Sequence, residues 1–387
     1  MRVLHTSDWH LGRTFKGAPL IADQRAFVEW LVDLAAQSDV GLIVIAGDVF
    51  DRAVPPVDAV QLWQEALERL STVAPLLVIA GNHDSATRLG FAGSLLDRTG
   101  VHLRTDIDQI DQPIVITDDD GVALAAYGIP YLEPDLHSAA LGAERSHAGV
   151  LAAAMERVRA DLADRPEHRS LVALHAFITG SGASIESESE RDLRVGGVGD
   201  APASVLAGVD YAALGHLHGE QTVRTPDGVV ARYPGSPIAF SFSEEAHVKA
   251  VTLVDYPADG PVRVHSIPVP VPRPLVTLTG DLEALLADET LSRHADSWVR
   301  VRLTDPRRPS DAMARVRERW PYAVELLFDA DSPAAGTSDV EPTGLVVDPL
   351  EVAEAFIEHV TQTPAQEGEI ALLRNSVEAT RIRQGSA

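Results

Sequence analysis

Five short apolar runs in the first 215 residues give way, at their carboxyl ends, to residues able to hold a metal ion. The runs are Val3-Leu4, Leu42 to Ile45, Leu76 to Ile79, Leu171 to Leu174 and Tyr211 to Leu214. Ser7-Asp8-Trp9-His10, Gly47-Asp48, Gly81-Asn82-His83-Asp84, His175 and Gly215-His216-Leu217-His218 follow them in that order. Runs this short and continuous read as buried parallel strands. Helical spacing lies between them: Phe27, Trp30, Leu31 and Leu34 after the first, and Val60, Trp63, Leu67 and Leu70 after the second. The alternation predicts an α/β sandwich, and open α/β sheets collect ligands at the carboxyl ends of their strands.

The chain has 387 residues, which at about 150 per domain implies two or three domains. A Pro-rich connector (Pro268, Pro270, Pro272, Pro274) closes a segment 1–272, and a smaller segment 273–343 reads strand, helix, strand, helix, strand. The tail 344–387 carries two helix starts, Asp348-Pro349-Leu350-Glu351 and Thr363-Pro364-Ala365-Gln366, each with an apolar stripe behind it. Ser181 to Asp192, rich in Ser and Glu, reads as a mobile polar loop. No apolar run approaches the 18 or so residues of a membrane span, and the N-terminus lacks a signal-peptide pattern, so a soluble cytoplasmic protein is expected. Cysteine is absent, which leaves His, Asp, Glu and Asn as metal ligands.

Asp8, His10, Asp48, Asn82, His175, His216 and His218 make a two-metal centre from separated strand ends. Mixed oxygen and nitrogen donors without sulfur suit Mn²⁺, Fe²⁺ or Zn²⁺ better than Mg²⁺ or Ca²⁺. In Asp8-x-His10 and His216-x-His218 one residue is skipped, so both side chains can face one way on extended backbone. Singly, a His-x-His pair, an Asp-x-His pair or an Asp after Gly is common without a metal, whereas Gly81-Asn82-His83-Asp84 directly after a buried strand is more specific. Their joint occurrence in order, each at a strand end, is what carries the metal reading. His5 lies within a strand and reads as a core residue or a neighbour of the ligands.

These motifs resemble the calcineurin-like metallophosphoesterases. More narrowly the chain is similar to the family of nuclease subunits of bacterial SbcCD complexes, relatives of the Mre-type DNA-repair nucleases. Leu4 to Gly12, Gly47 to Asp51, Asp210 to His218 and Tyr233-Pro234-Gly235-Ser236-Pro237 carry that match. The resemblance implies a metallophosphoesterase β-sandwich flanked by helices (1–272), a small α/β capping domain (273–343) and a helical tail (344–387) that docks on the coiled-coil base of an SbcC ATPase. It implies one ion held by Asp8, His10 and His218, another by Asn82, His175 and His216, and Asp48 bridging both. Two such ions, about 3.5 to 4 Å apart, lower the pKa of a shared water and clamp the oxygens of an in-line displacement. His83 corresponds to the catalytic histidine that serves the leaving oxygen, and Asp84 is expected to orient its ring.

The resemblance also implies manganese-dependent double-strand exonuclease and single-strand or hairpin endonuclease activity in DNA repair and recombination. The assembly it implies is a heterotetramer with two copies of each subunit, near the nucleoid. The alternative is a phosphoesterase for small-molecule or protein phosphoesters, which would not need the C-terminal residues beyond 272. A formal charge of −25 argues against DNA at first sight. Yet bound metal ions add positive charge where phosphate must sit, and Lys occurs only at 16 and 249, leaving Arg as 30 of the 32 basic residues. Arg300, Arg302, Arg307, Arg308, Arg315, Arg317 and Arg319 cluster in the expected cap, either as a DNA-facing patch or as surface residues balancing nearby acids.

Overall fold

A computed structural model describes residues 1–180, 186–190, 200–329, 368 and 370–374. Two six-stranded sheets stack face to face. In the first, strands run in the order Arg263–Pro268, Ala250–Asp255, Arg2–Thr6, Leu42–Ala46, Leu76–Ile79 and Val101–Arg104, the last four parallel to one another. The second runs Gln221–Arg224, Val230–Tyr233, Tyr211–Gly215, Arg169–His175, Ala123–Ile129 and Ile114–Thr117, with its four central strands parallel. All five expected strands are present, each bringing its polar carboxyl end to the same edge.

Side-chain alternation explains why the runs are apolar throughout. Leu42, Val44 and Ala46 meet Leu171, Ala173, Tyr211 and Ala213 between the sheets, while Ile43 and Ile45 pack outward beneath the helices Ile21–Gln37 and Val57–Leu70. On the far side the helix His147–Ala163 covers Val172, Leu174, Ala212 and Leu214. Both faces of each sheet are thus buried, the condition for unbroken apolar strands. One expected stripe is corrected: in Val57–Leu70 the inward residues are Ala59, Leu62, Trp63, Ala66 and Leu70, and Val60 faces solvent.

Residues 275–328 fold as expected into a parallel sheet Leu275–Gly280, Trp298–Leu303, Ala323–Phe328 with helices Leu282–Ala287 and Ala312–Arg319. Val299, Val301, Leu303, Val316 and Trp320 form their own core. This small layer packs on the rest through a second cluster in which Phe15, Phe240 and Phe242 meet Trp298. Arg273 caps the junction, its guanidinium 3.7 Å from the Tyr322 ring centre and 3.3 Å from Asp23. Residues Met1–Ser332 make one compact unit and Pro333–Ala387 another. The boundary expected at 343/344 and the helix starts at 348 and 363 lie outside the described residues.

The cap arginines serve the cap itself. Arg300 pairs with Glu325 at 2.6 Å and lies over Phe242, Arg302 approaches Asp329, and Arg308 covers Phe328. Arg315 pairs with Glu283, Arg317 donates to the Ala323 carbonyl, and Arg319 donates to the carbonyls of Leu285 and Leu286. Six of the seven therefore have structural partners, which favours the balancing-charge reading over a free DNA-facing patch.

Candidate metal centre

The seven expected ligands converge at the carboxyl edge of both sheets, and six of them are buried: Asp8, His10, Asp48, His175, His216 and His218. Asp8, His10 and His218 form one group able to hold a metal ion, and Asp8, Asp48 and His175 form another. His10 Nε2 lies 3.1 Å from His218 Nε2 and 3.6 Å from Asp48 Oδ2. Across Asp48, His175 Nε2 lies 3.5 Å from the same Oδ2 and 2.9 Å from Asn82 Oδ1. Asp48 therefore stands between the two expected ligand sets. His216 joins through its ring, 5.5 Å from that of His175, while its amide donates to both oxygens of Asp8 at 3.1 Å.

The donor set fits divalent cations. His175 Nδ1 donates to the Ala46 carbonyl at 3.0 Å, which leaves a lone pair on Nε2 facing the amide oxygen of Asn82. A cation lying between these two acceptors, 2.9 Å apart, would bind both. Asn82 Nδ2, buried nearby, has no hydrogen-bond partner. The ionisation states agree. Burial, and then the charge of Asp48, hold the Asp8 carboxyl well above its ordinary range. Burial pushes the imidazoles of His10, His216 and His218 well below theirs, and that of His175 down, so all four are neutral donors.

Backbone geometry aims the ligands. Asp8 (φ 56°), His10 (φ 44°), Asp48 (φ 50°) and His216 (φ 118°) adopt left-handed conformations that L-residues avoid. Four such residues in one constellation mark strain held in place by the surrounding fold, as functional sites often do. At Gly81 a Cβ would fall 2.1 Å from Asp48 Oδ1, and at Gly47 one would fall 2.4 Å from His175 Nδ1. Any side chain at either position would displace a ligand.

His83 stands at the rim, ring to ring with His10 at 4.7 Å, its amide donating to Asp48 Oδ1 at 2.9 Å. The expected role of Asp84 is corrected. Its carboxylate accepts from the amides of Val49, Phe50 and Gly81 at 2.9 to 3.1 Å and so ties the Asp48 turn to the Asn82 turn. What orients His83 is the Asp51 carbonyl, 2.7 Å from its Nδ1. Burial, then the charge of Asp48, push Asp84 up to about 7. His5 is a core residue: its Nδ1 contacts the Tyr211 hydroxyl at 2.9 Å, and burial lowers it to about 3.

Several residues at the site went unforeseen. Phe240 packs edge-on to His10 and His218, with the Arg13 guanidinium 4.8 Å from its ring centre. Ser189 and Glu190, within the stretch expected to be a mobile loop, are docked on His218: the hydroxyl contacts its Nδ1 at 2.6 Å and Glu190 Oε1 accepts its amide at 2.7 Å. Burial raises the Glu190 carboxyl to about 7. The rest of that stretch, 181–185 and 191–192, lies outside the described residues.

A twin-sheet α/β sandwich with this His, Asp and Asn cluster at one edge defines a metallophosphoesterase. The family model for calcineurin-like phosphoesterases matches residues 1–220, more than half of the chain, and the chain belongs to that family. The SbcD_C model, described as the Type 5 capsule protein repressor C-terminal domain, matches residues 271–361. The D subunit of the nuclease SbcCD of Bacillus subtilis (strain 168) is 36% identical over 269 residues, 66% of this chain and 66% of that one. Among solved structures, TT1561 of Thermus thermophilus aligns with TM-score 0.42 at 14% identity, over 69% of this chain and 98% of its own. GAP50 of Plasmodium aligns with TM-score 0.41 at 14% identity, over 87% and 99%.

Proposed function

We propose that the chain is a manganese-dependent DNA nuclease that works with an SbcC-type ATPase, cutting double-stranded ends and single-stranded or hairpin DNA in repair and recombination. The observation that carries this is the complete ligand cluster around Asp48, with His83 at its rim, in a chain similar to a nuclease subunit. Two divalent ions, when bound, supply positive charge for the scissile phosphate and activate water. Asp8, His10 and His218 would hold one, Asn82, His175 and His216 the other, with Asp48 shared. With Nδ1 of His83 donating to the Asp51 carbonyl, its Nε2 is the atom that can pass a proton to the departing oxygen. A chromosomal DNA substrate goes with a location in the cytoplasm beside the nucleoid.

Hairpin DNA and nicked plasmid should be cut with Mn²⁺ and left intact with EDTA, and His83→Ala should slow cutting by about 10² to 10⁴-fold while Mn²⁺ still binds. Turnover of a small aryl phosphodiester with no cleavage of any DNA would sink the nuclease reading and return the small-molecule alternative.

Within an assembly of two copies of each subunit, one surface supports the pairing of this chain with itself. Val54, Val60 and Phe91 are all exposed, Phe91 at 81%, and line an apolar hollow of about 530 Å³ together with Phe50, Pro55, Trp63 and Leu89. A contiguous apolar face of this kind marks an interface, and a second copy of the chain is its occupant here. Phe91→Glu should turn a dimer into a monomer by sedimentation velocity; a variant that sediments like the parent excludes this face. No described helix is long and apolar enough to cross a membrane.

A further inference from the structure

Lys249 is one of only two lysines in the chain, and it is buried beside the metal centre with no role in the ligand set. Its ammonium donates to the Glu244 carboxylate, to the Ser236 hydroxyl at 2.9 Å and to the His218 carbonyl at 3.0 Å. Glu244, also buried, accepts through Oε1 from the amides of Phe240 and Ser241 and from the Ser189 hydroxyl at 2.7 Å. The same hydroxyl lies 2.6 Å from His218 Nδ1. The result is a continuous buried chain from Lys249 through Glu244 and Ser189 to a ring whose Nε2 faces His10.

The hydrogens along this chain follow from the partners, with Ser187 Oγ, 2.8 Å from Ser189 Oγ, free to donate to it. A serine hydroxyl carries one hydrogen. Glu244, paired with Lys249 and surrounded by amide donors, is an acceptor, so that hydrogen points to Oε1. Ser189 Oγ must then receive the Nδ1 hydrogen of His218, and the lone pair of the neutral ring is left on Nε2. Resting on the two-ion reading above, we propose that Ser189 and Glu244, backed by Lys249, are positioning residues that fix His218 in the tautomer whose Nε2 faces the ion shared with Asp8 and His10. Carboxylates or carbonyls that hold a metal-binding histidine in this way are worth about 10 to 100-fold in metal affinity. The segment bearing Ser189 is itself pinned: its carbonyl accepts from Arg13 Nη2 at 2.9 Å, and the Glu188 amide donates to Ser243 Oγ at 3.0 Å. Docking of the 186–190 segment and the ligand state of His218 are thus one event.

The test is Mn²⁺ uptake by the full chain, followed by titration calorimetry and by electron paramagnetic resonance of free Mn²⁺. Long-range ¹H–¹⁵N spectra of the metal-free protein read the His218 tautomer, assigned against His218→Gln. The parent should take up two ions and show His218 protonated at Nδ1. Ser189→Ala should weaken one of the two uptakes by about 10 to 100-fold, leave the other unchanged and shift the His218 signal toward the Nε2-protonated form. Ser189→Thr, which keeps the hydroxyl, should restore both readouts to near parental values, separating the hydrogen bond from any general loosening. Equal uptake and an unchanged tautomer in Ser189→Ala would overturn the relay alone. A parent chain that takes up no Mn²⁺ would overturn the two-ion reading and the ligand role of His218 with it.

Discussion

Asparagine in place of Asp48 should slow Mn²⁺-dependent DNA cleavage by about 10³-fold or more, and at the same time raise the melting temperature of the metal-free chain. Asp48 Oδ2 lies between the two expected histidine pairs, 3.6 Å from His10 and 3.5 Å from His175, and a two-ion site that loses its shared anion loses the clamp on both oxygens of the displacement. The same charge is costly without metal, because it helps push Asp8 and Asp84 above their ordinary range. Each pKa unit of relieved repulsion is worth about 1.4 kcal/mol. Asparagine keeps the shape, tolerates the left-handed backbone at φ 50°, and still offers an oxygen to the His83 amide. Because the shift per kcal/mol falls with size, a unit as long as Met1–Ser332 gains about 1 to 2 °C per kcal/mol, and a rise of about 1 to 4 °C in EDTA is expected. Hairpin cleavage and calorimetry on one preparation check both limbs. Cleavage within tenfold of the parent would remove Asp48 from the centre, and a fall in melting temperature would show that its contacts outweigh the repulsion.

What was legible in the sequence, and what was not, follows from how each feature is encoded. Strands buried on both faces must be apolar at every position, so Leu42 to Ile45 and Leu171 to Leu174 announce themselves, and the polar residues that end them are conspicuous by contrast. The ligand cluster could be read because topology brings parallel carboxyl ends to one edge. Asp84 could not, because whether its carboxylate meets a ring or three backbone amides depends on the path of two loops that no periodicity records. Ser189 was hidden for the same reason, since a Ser and Glu stretch looks alike whether solvated or folded onto a metal ligand. Left-handed φ values at Asp8, His10 and His216 leave little trace either, because Asp and His adopt them more often than most side chains but still seldom. Cap arginines were countable, but their partners Glu325, Glu283 and the Leu286 carbonyl became visible only in the fold. Alternation along Trp298–Leu303, by contrast, was fully encoded: Val299, Val301 and Leu303 are buried, and Arg300 and Arg302 lie on the other face.

In EDTA the melting temperature should peak near pH 6.5 and fall on both sides, and saturating Mn²⁺ should turn the alkaline fall into a gain. On the acid side His10, His175, His216 and His218 have folded pKa values below the ordinary 6.5, and His5 lies at about 3. The unfolded chain then binds more protons than the folded one, so stability is lost as pH falls through about 6.5. The carboxyls run the other way. Asp84 and Glu190 titrate at about 7 in the folded chain, and Asp8 is raised as well, so the folded state holds protons that the unfolded state has released. Their contribution is lost as pH rises through about 7, when the histidines of the unfolded chain have already discharged and no longer offset it. Mn²⁺ competes with the proton on Asp8 and binds neutral imidazole, so its affinity climbs over the same interval. At about 100 times its dissociation constant a ligand adds roughly 2.7 kcal/mol per site. The gap between melting temperatures in Mn²⁺ and in EDTA should therefore widen from about pH 6 to about pH 8. A gap that stays constant over that interval would mean that the buried Asp8 carboxyl is not released to the metal, and that Asp8 is not its ligand.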